Sequence, residues 1–229
     1  MKLPFNRTRP EETEAQSLPR RRGFRSLMLV YAFLWLLAIG TGLCLLYSYE
    51  NTPGTAARPP QQWPAGSRLQ PAPDGATLVM LVHPHCPCTR ATIGELALLM
   101  AHTRGRLTAY VLFLKPKGFS EDWEKTDLWE SAASIPGVRA VVDDDGAEAH
   151  RFGAATSGQT ILYDAGGRLL FTGGITASRG HSGDNAGRSA IVSLVNEGEA
   201  ERAETFVFGC PLFDANSECR KSPDEREQY

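Results

Sequence analysis

The strongest pattern along the chain is an uncharged, mostly apolar run from residue 27 to residue 47, preceded by Arg20, Arg21, Arg22 and Arg25. At about 1.5 Å per residue, a helix of that length spans the hydrocarbon core of a bilayer. The run is longer than the apolar core of a signal peptide, so it is expected to stay as an anchor, although "GTAA" at 54–57 leaves cleavage open. Basic residues crowd the N-terminal side, and the next ones after the span are Arg58 and Arg68. The positive-inside rule therefore puts the N-terminus in the cytoplasm and everything after residue 47 outside it.

The apolar pattern then disappears. Residues 50–75 carry six prolines and no periodicity, which predicts a semi-extended linker over 48–75. Beyond it the pattern becomes that of a folded domain. "ATLVMLVHP" (76–84) and "LTAYVLFLKP" (107–116) are near-continuous apolar runs, as expected of strands buried on both faces. Between them Ile93, Leu96, Ala97 and Met100 recur at helical spacing over 89–102, and Gly105 supplies a stop.

A second helix is predicted over 120–137, from Ser120 as N-cap to Pro136-Gly137, with Trp123, Leu128 and Ile135 on its apolar face. "VRAVVDDDG" reads as a short strand ending in a turn, and about one helical turn is expected near 149–152. Two apolar runs flank Asp164-Ala165-Gly166-Gly167, a strong hairpin signal. A last helix is expected from Asn185 or Ala186 to Glu197. The predicted order is β-α-β-α-β-β-α, an α/β domain over 76–200 behind one transmembrane helix, with a cytoplasmic segment 1–26 and a C-terminal extension 201–229.

Composition narrows the function. With 42% hydrophobic residues, 22% charged residues and a net charge of -2, the chain lacks the basic surplus that phosphate binding needs, so no nucleic-acid partner is expected. Its chemistry lies in "HPHCPC" (83–88), where the first strand meets the first helix. A cysteine at a helix N-terminus feels the unpaired N–H groups and the positive end of the dipole, which favour thiolate over thiol. Pro87 suits the first helical position, making Cys86 the N-cap and Cys88 the second helical residue. The cap side chain is expected to face the loop and solvent, so Cys86 is the predicted nucleophile. Positions two apart on a helix are about 200° apart around the axis, so a Cys86–Cys88 disulfide needs a distorted turn.

Three further cysteines complete the set. Cys44 lies in the apolar span and reads as a small membrane-buried hydrophobe. Cys210 and Cys219 in "VFGCPLFDANSECR" either pair with each other or leave Cys210 as a resolving thiol for Cys86. The apolar "FVFGCPLF" suggests a docked segment and favours the second option.

The element order, with its cysteines at the first strand–helix junction, resembles the thioredoxin superfamily. "CPCTRATIGEL", "DDDG" and "QTILYDAGGRLLFTGG" are similar to the membrane-tethered extracytoplasmic thioredoxins of the cytochrome-maturation type, and "GITASRGHSGDNAGRSA" with "VFGCPLF" resembles the bacterial RedB-like family. The resemblance implies a thioredoxin-like fold and a thiol–disulfide oxidoreductase of the inner membrane. Its domain would lie in the periplasm, exchanging with protein thiols or disulfides through Cys86, Cys88 and Cys210, without a cofactor. Two departures touch the redox face: Ser157-Gly158-Gln159 stands where the superfamily has a cis-proline, and Cys-Pro-Cys is one residue shorter than Cys-x-x-Cys.

Two other readings stay open. Cys86, Cys88, His85 and His181, with His83 nearby, are ligand types that suit copper or zinc, as in a copper-binding assembly factor of the same fold. A non-catalytic, membrane-tethered interaction module is the other. The polar stretch 172–190 brings Arg179, His181, Asn185 and Arg188 as candidates for lining a cleft beside the cysteines, or for an ordered loop that caps the final helix.

Overall fold

The structure, a computed structural model, describes residues 21–55, 58–103 and 105–213. Cys219 lies outside the described residues, as does the question of its pairing with Cys210. The chain divides into two units at Leu46/Tyr47. The first holds most of α1 (Arg21–Asn51), whose stretch Phe24–Asn51 is long and apolar enough to cross a membrane; large apolar side chains such as Leu29, Phe33 and Leu45 are exposed on it.

In the second unit the predicted β-α-β-α-β-β-α order is realised, and the helical turn expected near 149–152 is a short helix between the third and fourth strands. A five-stranded mixed sheet runs in the order β3-β2-β1-β4-β5, built from β1 (Ala76–Val82), β2 (Leu107–Lys115), β3 (Val138–Asp144), β4 (Gln159–Tyr163) and β5 (Leu169–Gly173). The strands β1, β2 and β3 are parallel, and β4 and β5 are antiparallel to their neighbours. Every residue of β1 after Ala76 is buried because both faces of the sheet are covered, which explains a strand without a polar side.

One face packs against α2 (Pro87–His102), α3 (Asp127–Ala133) and α5 (Ala186–Glu197), with Leu78, Met80, Leu96, Leu99 and Phe113 fully buried between the layers. The helical period over 89–102 picked out Ile93, Leu96 and Met100, all buried, whereas Ala97 is only partly covered. Asn185 caps α5 through its side chain, which accepts the Arg188 N–H at 2.8 Å. The three-aspartate turn also acts as a cap: the buried Asp143 carboxylate accepts the N–H groups of Glu148 and Ala149, at 2.8 and 2.9 Å, at the start of α4 (Ala147–Arg151).

Two expectations need correction. The helix predicted over 120–137 is regular only from Asp127 to Ala133, with Thr126 at its N-cap position. Residues 120–125 form turns, with the Trp123 and Lys125 N–H groups donating to the Ser120 and Asp122 carbonyls. This turn drops the Trp123 ring against His83 and His85, with ring centroids 5.4 and 4.7 Å apart. Trp123 is therefore apolar cover for the cysteine loop, and its place in a helical period was coincidental.

The proline-rich stretch packs along the opposite face of the sheet where a free tether was expected. Trp63 meets Phe152 and Tyr163 edge-on at 5.2 and 5.3 Å, and Leu69 is buried. The Trp63 N–H donates to the Gly167 carbonyl at 2.7 Å, and the Leu169 N–H to the Gln61 carbonyl at 3.0 Å. Proline prevents this segment from forming a helix or central strand, but an extended chain can still pair with the β4–β5 hairpin and lay its few large side chains on the sheet.

Candidate functional site

The site forms where β1 ends and α2 begins. Cys86 has extended backbone angles (φ -79°, ψ 119°) and is the N-cap of α2, with Pro87 in the first turn, as the sequence predicts. Its side chain departs from the expectation, because it is 1% exposed instead of facing solvent. The cover is Cys210, whose Sγ lies 3.1 Å from Cys86 Sγ. A disulfide bond is about 2.05 Å long, so a shift of about 1 Å would join the two sulfurs. Cys88 is partly exposed and also hydrogen-bonds to Cys86. The three cysteines singled out in the sequence are thus brought together around Cys86.

The arrangement decides which sulfur carries charge. Hydrogen bonds from the Cys210 thiol, and then from Cys88, hold the Cys86 thiol far below its ordinary range, outweighing the opposing effect of burial. Cys88 moves the other way. Its hydrogen bond to Cys86, its own burial and the neighbouring thiolate charge push it up, against a smaller opposite pull from Arg179. The negative charge therefore sits on Cys86, at the end of α2 where the helix field also favours it.

Cys210 is delivered by an extended segment, residues 207–212. The Ser157 N–H donates to the Cys210 carbonyl at 2.8 Å, the Leu212 N–H donates to the Ala155 carbonyl at 2.9 Å, and Thr156 and Pro211 form an antiparallel bridge. Arg179 Nη1 donates to the Gly209 carbonyl at 2.5 Å. Gly209 is forced by packing: a Cβ there would lie 1.9 Å from the Ser157 carbonyl oxygen.

The loop that receives this segment does without proline. Ser157 Oγ accepts the His83 N–H at 2.9 Å and lies 3.1 Å from Thr89 Oγ1, while the Gly158 N–H donates to the Leu81 carbonyl at 2.7 Å. Gly158 has φ +89°, a conformation that glycine tolerates best. These bonds tie the loop to β1 and α2, and the described residues contain no cis peptide bond.

The remaining candidates separate. His83 is buried with Nδ1 accepting the His85 N–H, and His85 Nε2 lies 3.1 Å from the Trp123 carbonyl oxygen. His181 is exposed. Among the described residues no group of three or more His, Cys, Asp or Glu side chains is placed to hold a metal ion. Asn185 and Arg188 are engaged with Glu95, a residue of α2 that sequence reasoning missed. Glu95, 1% exposed, pairs with Arg188 and accepts from Asn185 Nδ2 at 3.1 Å and from the Gly183 N–H at 2.8 Å. This network fixes the polar loop before α5. Its only sequence signal was a lone glutamate on the apolar side of a helical pattern.

No family model matches the sequence, and no curated protein matches it. Solved structures do. A hypothetical protein from Sinorhizobium meliloti superposes with a TM-score of 0.52 at 22% identity, covering 72% of this chain and 96% of its own. An uncharacterized conserved protein from Geobacillus kaustophilus gives 0.51 at 17% identity, covering 73% and 94%. StoA from Bacillus subtilis gives 0.38 at 13% identity, covering 52% and 89%. The likeness to the first two is one of fold: the chain carries a mixed α/β domain with a five-stranded sheet and, near its N-terminus, a helix long and apolar enough to cross a membrane.

Proposed function

We propose that the protein is a membrane-anchored thiol–disulfide oxidoreductase, with α1 retained in the inner membrane and the cysteine site on its extracytoplasmic side. The observation that carries this reading is the contact of 3.1 Å between Cys210 Sγ and the buried Cys86 Sγ at the N-cap of α2. Its partners would be protein thiols or disulfides outside the cytoplasm, and the resemblance of the 174–190 and 207–213 stretches to RedB-like proteins points the same way.

In the reductive direction the Cys86 thiolate attacks a partner disulfide. One partner sulfur leaves as a thiolate while the other is held in a mixed disulfide with Cys86. Cys210, once deprotonated, attacks Cys86 Sγ, forming the Cys86–Cys210 disulfide and releasing the second partner thiol. The partner disulfide gains two electrons, which come from Cys86 and Cys210. The geometry favours Cys210 over Cys88 as the resolving thiol, because Cys88 sits on the same helical turn and needs a distorted backbone to close on its neighbour.

The test is trapping in the full chain. Cys210→Ser is expected to accumulate mixed disulfides through Cys86, visible on non-reducing gels, while Cys88→Ser resolves them. Trapping in Cys88→Ser alone would transfer the resolving role to Cys88. No trapping in either variant, with no Cys86–Cys210 disulfide on mild oxidation, would overturn the oxidoreductase reading.

A further inference from the structure

The extended segment 207–212, a strap laid across loop 155–157, carries Cys210 to Cys86. The two sulfurs it brings together do not belong to equally open residues: Cys86 is 1% exposed, whereas Cys210 is partly exposed. In the reduced protein the strap is held by backbone hydrogen bonds, by the Arg179 guanidinium on the Gly209 carbonyl and by the buried Val207 and Leu212 side chains. All of these contacts can open without chemistry. Once Cys86 and Cys210 are joined, the strap is covalently fastened over Cys86. The oxidised site therefore keeps Cys86 covered until the bond itself is cut.

We infer that the dithiol donor which returns the site to its reduced state attacks Cys210 and not Cys86, that Cys86 is the leaving group, and that the Cys88 thiol is the hydrogen-bond donor to the leaving sulfur. The inference rests on the thiol-exchange reading above and adds the route by which electrons enter: a partner disulfide meets Cys86, and the donor meets Cys210. A donor thiolate attacks Cys210 Sγ, the Cys86–Cys210 bond breaks, and its electron pair goes to Cys86 Sγ. The donor's second thiolate then attacks its own sulfur in the donor–Cys210 mixed disulfide and releases Cys210 as a thiolate, which takes up a proton. The disulfide of the site gains two electrons, and the donor leaves as a disulfide.

Access and leaving ability act together here. Thiol–disulfide exchange is faster when the departing thiol has the lower pKa, and the Cys86 thiol is held far below its ordinary range. Cys88 thereby gains a task other than resolving. Its thiol hydrogen-bonds to Cys86, and Arg179, which grips the strap at the Gly209 carbonyl, hydrogen-bonds to Cys88 in turn. Attack at Cys86 would have to reach a sulfur that the fastened strap covers.

The experiment uses the full chain in detergent, with Cys44→Ser and Cys219→Ser, oxidised to the Cys86–Cys210 disulfide, and glutathione as the attacking thiol. The reaction is quenched with acid at early times, and mass mapping locates the glutathione adduct. The adduct is expected on Cys210 in about tenfold excess or more over Cys86. Cys88→Ala is expected to slow opening of the disulfide about fivefold, the worth of one hydrogen bond, and Cys88→Ser, which keeps a donor, to recover most of that rate.

Glutathione that appears first on Cys86, or equally on both sulfurs, overturns the inference and leaves the exchange reading intact. An opening rate unchanged in Cys88→Ala, or lowered alike in Cys88→Ala and Cys88→Ser, overturns the part given to Cys88. If mild oxidation forms no Cys86–Cys210 disulfide at all, the exchange reading fails and takes the inference with it.

Discussion

The two faces of the sheet are covered in different ways. On one, three helices lay regular apolar stripes over Leu78, Met80 and Phe113. On the other, Tyr163, Phe152 and Leu112 are sealed by irregular chain: the proline-rich stretch with Trp63 and Leu69, the short α4, and Leu212 from the strap. The helical cover carries Cys86 and Cys88 at the start of α2, and the rest of it is a scaffold of packed apolar side chains. The irregular cover supplies the third cysteine, since its last segment brings Cys210 Sγ to 3.1 Å from Cys86 Sγ. This strap, residues 207–212, is held by a few backbone bonds and by the buried Val207 and Leu212 side chains, so it opens at lower cost than a helix packed along its whole length.

The sharpest way to break this contrast is at Glu95 on the helical face. Its carboxylate is buried among Arg188, Asn185 and the Gly183 N–H. Glu95→Ala leaves the largely buried Arg188 with only the exposed Asp184 carboxylate as an ion-pair partner and is expected to cost about 3–5 kcal/mol in denaturant unfolding. A loss under about 1 kcal/mol would mean that the network does not hold the polar loop. Leu96→Ala on the same helix, at a fully buried position, should cost about 2–5 kcal/mol. Trp63→Ala tests the irregular face. Trp63 is only partly buried, so the expected loss is about 1–3 kcal/mol, less than at Leu96. No loss at all would return the proline-rich stretch to the role of a free tether.

The same division governs what the sequence makes legible. Helical and strand periods report burial against a flat sheet, so β1, α2, the β4–β5 hairpin and α5 could be read with nearly their observed ends. Trp63 and Leu69 carry no period, because extended chain between prolines buries single side chains at irregular intervals, and composition then points to a linker. At the site, helix capping placed Cys86 and Pro87 correctly, since capping is a local property. It could not show that Cys86 is covered, because the cover comes from 124 positions further along the chain. Ser157 and Gly158 were visible as a missing proline, but the bonds that replace it, from the His83 N–H and to the Leu81 carbonyl, are set by tertiary contact.

The smallest expected effect concerns the charge on Cys86. The Cys210 thiol is the first cause of its lowered pKa, with Cys88 second. The unfolded chain binds this proton up to the ordinary thiol range near 8.5, while the folded chain releases it at lower pH. In that window the unfolded state holds one more proton, so this group makes stability rise with pH by at most about 1.4 kcal/mol per unit. The contribution is complete above the unfolded value and is lost as pH falls through the folded one. Cys210→Ala removes the principal donor, so the Cys86 pKa should rise and the window should narrow from its acid side. Thiolate absorbance in the far ultraviolet, read against a Cys86→Ser control, should show the titration moving toward higher pH, and the slope of stability against pH should flatten at the acid end of that window. If the titration stays in place, α2 and Cys88 suffice to hold the thiolate. The strap would then cover Cys86 and carry the resolving sulfur without tuning the charge beneath it.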